Sequence, residues 1–488
     1  MDDFRDPPGP PPDRPHPPHF PSPSDELARP VVLTKPGHPI SRHDIDPDAL
    51  RIMSRLQRMG FIAYLCGGAV RDLMLGKKPK DYDIATDARP GQIKKRFANV
   101  FVIGRRFRLA HVHFPGGKII EVSTFRRDPD PASAEDPGPH VLSAMAATSA
   151  TSATTRPSLA AESTRPSLTT ELSATSAPDP HAIYGTPRED AFRRDITINA
   201  LYYDPSIDAV IDYVDGLEDL RCFRVRAIGD PEVRFTEDPV RVWRVLRHAA
   251  RLGFEIEATT ERAVRSHRHL LAAVAGSRLY EEFNKDLAYE TRPVFEALRE
   301  CGLLRHFLGK AGEDYETDPA LFARIVALLD IEEKARRKGF LLALEEMYAL
   351  IFWPWVEPRF CEAEEEMAAV LNTAFLNAGI KMTIPKNLRA NVIQILVLIE
   401  RLIQALRTGH LRAALFEKSH FGQADRLFFL IEKGRPPAAG ESFEALFRKA
   451  HPEAASVPRR KRRRRRRGRT GGVKGNGGAS GGDPASNS

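Results

Sequence analysis

Residues Leu65–Asp83 read LCGGAVRDLMLGKKPKDYD. A glycine pair, Gly67-Gly68, stands four residues before Asp72, and two carboxylates follow one residue apart, Asp81 and Asp83. Side chains of a strand alternate between faces, so a D-x-D pair on a strand over Asp81–Ala85 would present both acids together. Glycine lets a backbone approach a ligand closely. The helix expected after it, ending at Gly76, would favour an anion at its N-terminus. Arg71 could add a bidentate phosphate contact. Two acids sharing a pair of magnesium ions beside a turn that can hug a triphosphate point to nucleotidyl transfer. A D-x-D alone is weak, since surface acid pairs are common; the preceding GGAVRD gives it weight.

Composition bounds the rest. The chain has 488 residues, 42% of them hydrophobic, enough for more than one domain and a sizeable core. No run approaches the roughly 18 apolar residues of a membrane span. The first twenty residues lack the apolar stretch of a secretory signal. Cys66, Cys222, Cys301 and Cys361 form no C-x-x-C pair, so neither a zinc knot nor a disulfide framework is indicated, and a cytoplasmic setting is expected. Charge is unevenly placed. Arg459–Ser488 carries eleven Lys/Arg and one acid, a net +10; subtracting that from the chain's +8 leaves −2 for everything before it. Arg459–Arg467 is uninterrupted basic sequence, including Arg462, Arg463 and Arg464. Such a run repels itself, stays unfolded and binds polyanions with steep salt dependence.

Residues 1–45 are proline-rich and are expected to be disordered. Asp46-Pro47 signals a helix start, with Leu50, Met53, Leu56 and Met59 on one face. Strands are predicted over 61–66, 81–85, 100–103, 110–114 and 119–124, the last two joined as a hairpin across Gly116-Gly117. From Asp128 to about Pro180 the composition falls to Ala, Ser, Thr and Pro, with TRPSL at Thr155–Leu159 and again at Thr164–Leu168. That stretch, 131–180, reads as a disordered insertion. Beyond Asp238 the pattern is helical, with helices expected around 279–308, 318–330, 339–353, 361–376, 388–406, 411–417, 423–432 and 441–450. Trp353 and Trp355 lie in an apolar stretch and are expected in the core.

Three further clusters carry chemistry. Arg193–Asn199 (RRDITIN) offers Arg194 for a triphosphate, Asp195 as a third acid and Asn199 as an amide; a plain Arg194–Asp195 salt bridge is the competing reading. Glu237–Arg244 (EDPVRVWR) opens a helix at Asp238-Pro239 and gathers Glu237, Asp238, Arg241 and Arg244. Carboxylates accept from an exocyclic amine and guanidinium groups donate to ring nitrogens, so this group could read a base edge; an ordinary helix-surface charge network is the alternative. Gly104–Val112 (GRRFRLAHV) sets Arg105, Arg106 and Arg108 beside a strand, either for nucleic-acid phosphates or as a solvated loop. Glu121, on the next strand, is left open between a metal-facing and a structural acid.

Together, GGAVRD (67–72), DYD (81–83), RRDITINAL (193–201) and EDPVRVWRVLRHAARLG (237–253) resemble the bacterial poly(A) polymerase and tRNA CCA-adding nucleotidyltransferase family, the class II branch of the polymerase β superfamily. The likeness spans about 45–290 without the insertion. GRRFRLAHV is more similar to the poly(A) polymerase branch. The resemblance implies an α+β fold, with a polymerase-β-like nucleotidyltransferase domain on a small mixed sheet followed by an all-α body. It places a catalytic domain at 46–235, a base-recognition neck at 236–295, an RNA-binding body at 296–452 and a disordered Arg-rich tail at 453–488. It implies that Asp81 and Asp83 bind two Mg2+ ions, with Asp195 also catalytic. Gly67, Gly68, Arg71, Arg194, Asn199, Glu237, Asp238, Arg241 and Arg244 would bind substrate, and Arg105, Arg106, Arg108, Arg462, Arg463 and Arg464 RNA. The implied activity is template-independent AMP addition from ATP to RNA 3′ ends, by a monomer, away from membranes, in concert with RNA-decay proteins. CCA addition to tRNA and noncatalytic RNA binding are the rivals.

Overall fold

The computed structural model describes residues 29–104, 108–127, 184–360 and 364–452. The fold begins earlier than expected. Val31–Thr34 forms β1, an edge strand paired antiparallel with residues 209–212. Behind it His38, Ile40 and Ile45 are buried, so residues 29–45 belong to the domain and correct the reading of 1–45 as one irregular segment. Prolines on both sides masked the strand, although edge strands tolerate flanking proline. Residues 1–28, the 131–180 insertion and the tail from 453 lie outside the described residues.

Asp46 caps α1 (Pro47–Arg58), its carboxylate accepting from the Asp48 and Ala49 amides at 2.8 and 3.4 Å. Ile52, Met53 and Leu56 bury one stripe of this helix against the sheet. There follow β2 (Ala63–Cys66), α2 (Gly68–Met74), β3 (Asp83–Thr86), α3 (Pro90–Arg96), β4 (Val100–Ile103), β5 (Leu109–His113) and β6 (Ile119–Thr124). After the undescribed segment come α4 (Pro187–Phe192), β7 (Tyr202–Asp204), β8 (Ala209–Asp212), α5 (Gly216–Arg221) and β9 (Arg224–Val225). The eight strands order as β1-β8-β7-β2-β3-β6-β5-β4. All neighbours are antiparallel except β3 and β6, which makes the sheet mixed. Arg126 and Tyr184 form an isolated antiparallel bridge, and the Gly185 amide donates to the Phe125 carbonyl at 2.8 Å. The chain thus departs at Arg127 and returns at Tyr184 in one place.

The helical part runs through α6 (Pro231–Glu237), α7 (Val240–Leu252), α8 (Ala258–His267), α9 (Gly276–Leu287) and α10 (Thr291–Glu300), with a short β10 (Glu255–Ile256) beside β9. It continues as α11 (Leu304–Leu308), α12 (Lys310–Thr317), α13 (Pro319–Arg337), α14 (Leu344–Val356), α15 (Glu364–Asn377), α16 (Lys386–Thr408), α17 (Phe421–Lys433) and α18 (Phe443–Ala450). The single helix expected over 279–308 is three, broken at 288–290 and 301–303. Trp353 and Trp355 are buried, and the Trp355 indole donates to Asp314 at 2.9 Å. No described helix is long and apolar enough to cross a membrane.

Candidate active site

The strand carrying the acid pair starts at Asp83, not Asp81, so Asp81 sits in the loop that leads into it. Asp83 pairs in register with Cys66 of β2. On its other side lies Glu121 of β6, one position before the Ile84–Val122 pair of the parallel ladder. Asp83 keeps contact with solvent yet is crowded by protein. Loss of water, then the negative charge of Glu121 and, more weakly, of Asp81 push its carboxyl up to about 6, against the opposing pull of Arg194. An acid crowded by two other acids has the character of a divalent-cation site. Among the described residues, no group of three or more metal-ligating side chains is already drawn together. Glu121 is also held at 3.3 Å by the His111 ring on β5.

Gly67, between β2 and α2, takes φ +72°, a conformation natural only to glycine. A Cβ there would stand 3.2 Å from Nη1 of Arg194, and one on Gly68 would stand 3.4 Å from Nη2 of Arg71. Both arginines therefore lie directly behind the glycine turn. Arg71 donates to Asp72 at 2.7 and 2.9 Å and to Asn199 Oδ1 at 2.6 Å. Arg194 donates to the Asn199 carbonyl at 2.9 Å and pairs with Asp190 at 3.1 Å; Tyr202 donates to the same Asp190 oxygen at 2.8 Å. Asn199 lies in a tight turn, Thr197–Asn199. That turn lets one residue touch both arginines. Burial pushes the Cys66 thiol up to about 11, so it is an inert wall of the turn rather than a nucleophile.

The partners of Asp195 are Arg244, at 3.5 Å, and more weakly Arg241; despite burial these guanidinium charges hold its carboxyl below the usual range. The competing Arg194–Asp195 pair does not form: Arg194 serves the glycine turn and Asp195 serves α7. Burial pushes His248 down to about 3, so its ring is neutral, and Nε2 accepts from Asn199 Nδ2 at 3.2 Å. Arg244 also binds Glu282 of α9 at 2.9 Å. Arg247 pairs with Glu282 at 2.5 Å and with Asp286, which accepts from the Trp243 indole at 2.6 Å. Asp238 accepts from the Val240 amide at 3.2 Å and pairs with Arg278 at 2.7 Å. Arg241 donates to the Arg193 carbonyl at 3.4 Å, while its buried Nη1 has no partner among the described residues. Glu237 is exposed and pairs with Arg234 at 3.3 Å.

The site residues thus fall into two linked groups. Gly67, Gly68, Arg71, Arg194, Asn199, Asp81 and Asp83 gather at one end of the central strands β2 and β3; Asp195, Asp238, Arg241 and Arg244 gather around the first turns of α7. Arg105 and Arg106 lie outside the described residues, as do Arg462, Arg463 and Arg464; Arg108 is exposed at the start of β5. Sequence reasoning did not assign Glu121 and missed His248 and Glu282. Each matters through a partner distant in sequence, and only the strand register or helix packing reveals it.

Residues 63–226 match the poly A polymerase head domain, and residues 253–311 match a probable RNA- and SrmB-binding site of polymerase A. The chain is 36% identical over 378 residues to poly(A) polymerase I of Salmonella typhimurium, covering 74% of each chain. The chain belongs to the poly(A) polymerase family. This is a nucleotidyltransferase family, one that generally uses divalent metal ions. A poly(A) polymerase I of Escherichia coli is 41% identical over 271 residues, 54% of this chain and 51% of that one. A CCA-adding enzyme of Lactobacillus helveticus is 32% identical over 242 residues, half of each chain. The fold is similar to that of the Bacillus stearothermophilus CCA-adding enzyme solved with CTP, at TM-score 0.50 and 22% identity, over 84% of this chain and 94% of that one. It is likewise similar to a tRNA nucleotidyltransferase solved with a primer tRNA and an ATP analogue, at TM-score 0.51 and 20% identity, over 83% and 100%.

Proposed function

We propose that this chain is a template-independent poly(A) polymerase that adds AMP from ATP to RNA 3′ ends. The supporting observation is the apposition of Asp81, Asp83 and Glu121 to a glycine turn backed by Arg71 and Arg194. Gly67 and Gly68 leave room for a triphosphate, and the two guanidinium groups offset its charge. Asp81 and Asp83, with Glu121 beside them, would hold two Mg2+ ions, which lower the pKa of an attacking hydroxyl and neutralise charge on the leaving group. The ribose hydroxyl forms the new bond to the α-phosphorus, and the bond to pyrophosphate breaks. Asn199 fixes both arginines and is itself fixed by neutral His248. On α7, Arg241 keeps a buried donor with no partner among the described residues, suited to a base edge or phosphate. Asp195 positions Arg244 there.

CCA addition is the competing activity, since relatives of both kinds share the head domain. The deciding assay offers each nucleotide singly to unstructured RNA and to tRNA lacking its CCA end. The expected result is long ATP-dependent extension of both RNAs. CTP incorporation confined to tRNA ends would overturn the assignment. Asp81→Asn should abolish extension while RNA still binds in a gel shift; undiminished extension would place the chemistry elsewhere.

A further inference from the structure

Tyr289 lies in the break between α9 and α10, more than two hundred residues along the chain from the acid loop, yet it meets that loop. Its hydroxyl donates to Oδ2 of Asp81 at 3.5 Å. The ammonium of Lys80, the residue before Asp81, stands 4.0 Å from the Tyr289 ring centroid. The Arg251 guanidinium of α7 stands 4.3 Å from the same centroid. Cations over an aromatic face are attracted by its quadrupole, so the ring is held by charge from two elements. Arg251 is in turn anchored by the Lys285 carbonyl at 2.6 Å and by Asp286 at 3.5 Å, both on α9. The acid it meets needs such support. Asp81 precedes β3, so no strand ladder fixes its backbone.

We propose that Tyr289 is a positioning residue for Asp81, holding its carboxylate in the orientation that binds a divalent cation. The ring, clamped by Lys80 and Arg251, supplies a fixed platform, and the hydroxyl sets which Asp81 oxygen stays free. This rests on the reading of Asp81 as a cation ligand. Tyr289 also lies within the segment 253–311 that matches the RNA-binding model, so the helical body reaches the acid loop through this side chain.

The test is Tyr289→Phe, which keeps the ring and both cation contacts and removes only the hydroxyl. Mn2+ affinity is measured directly on the full chain, without ATP or RNA, by electron paramagnetic resonance or calorimetry. A single hydrogen bond at this site predicts about three- to tenfold weaker Mn2+ binding. A matching rise in the metal concentration for half-maximal extension is expected, with unchanged melting temperature and RNA affinity. Tyr289→Ala should weaken binding further. Unaltered Mn2+ affinity in Tyr289→Phe, with Asp81→Asn abolishing it, would overturn the role of Tyr289. If Asp81→Asn itself binds Mn2+ like the parent, the reading of Asp81 fails instead.

Discussion

Asp83 and Glu121 occupy neighbouring strands, and after burial the negative charge of Glu121 is the next cause of the raised proton affinity of Asp83. Replacing Glu121 by Gln removes a negative charge, which favours the ionised form of Asp83. The Asp83 carboxyl, placed at about 6 in the metal-free protein, should therefore titrate at lower pH in Glu121→Gln. Burial, the larger cause, should keep it above the ordinary aspartate value. Carbon-13 NMR titration of the side-chain carboxyl measures this, and an unmoved midpoint would show that the two acids do not interact. On the proposed reading of Glu121 as a neighbour of the cation-binding acids, extension activity should fall as well. Asp81, Asp83, Gly67 and Arg194 were legible in the sequence because each belongs to a short local pattern. Glu121 was not assignable, because its position beside Asp83 depends on β3 and β6 running parallel. Asp195 was legible as a functional acid but not as to which face it serves. Its neighbour Arg194 turns to Asp190 and the Asn199 carbonyl while Asp195 pairs with Arg244, a choice that no local pattern records.

Between α7 and α9 a buried ionic lattice runs beside the apolar packing of Trp243 on Phe283. Glu282 and Asp286 accept from Trp243, Arg244 and Arg247. Burial alone would raise the Glu282 carboxyl, but Arg247 and then Arg244 depress it far below the 4.5 of a free glutamate. Removing one member of such a set strands the others, at a cost of about 3–5 kcal/mol. Glu282→Ala should lose stability of this order in urea unfolding at pH 7. A depressed carboxyl contributes stability that is present above its unfolded value and lost as pH falls through its folded value. The gap between parent and variant should therefore narrow once pH drops below about 4.5, and a constant gap would contradict the linkage. The helices themselves were readable from their apolar stripes. The break after α9 had its signal in Pro293, which disrupts a helix interior and here falls in the first turn of α10, where proline is tolerated. β1 was not legible, since its residues, three exposed and one half-buried, gain their structure from a partner strand far along the chain.

Across the whole molecule, an eight-stranded mixed sheet presents the acids and a helical body supports them from one side. The two-part architecture followed from composition and periodicity; the docking between parts did not, because it runs through Tyr289 and the Asp195–Arg244 pair. Deleting 132–180 should leave nucleotide addition intact, as measured by primer extension on a folded variant. Loss of activity with folding preserved would assign that segment a part in the reaction. Truncating the tail at 458 removes eleven basic residues. RNA affinity should weaken and its dependence on salt become shallower, with turnover retained at saturating RNA.

The Arg126–Tyr184 bridge gives this enzyme a doorway. Whatever the chain carries between those two residues leaves and re-enters through a single point, and the entropic penalty of a longer detour grows only with the logarithm of its length. A reporter protein or an affinity module spliced in at that spot should ride along without disturbing the chemistry beneath it.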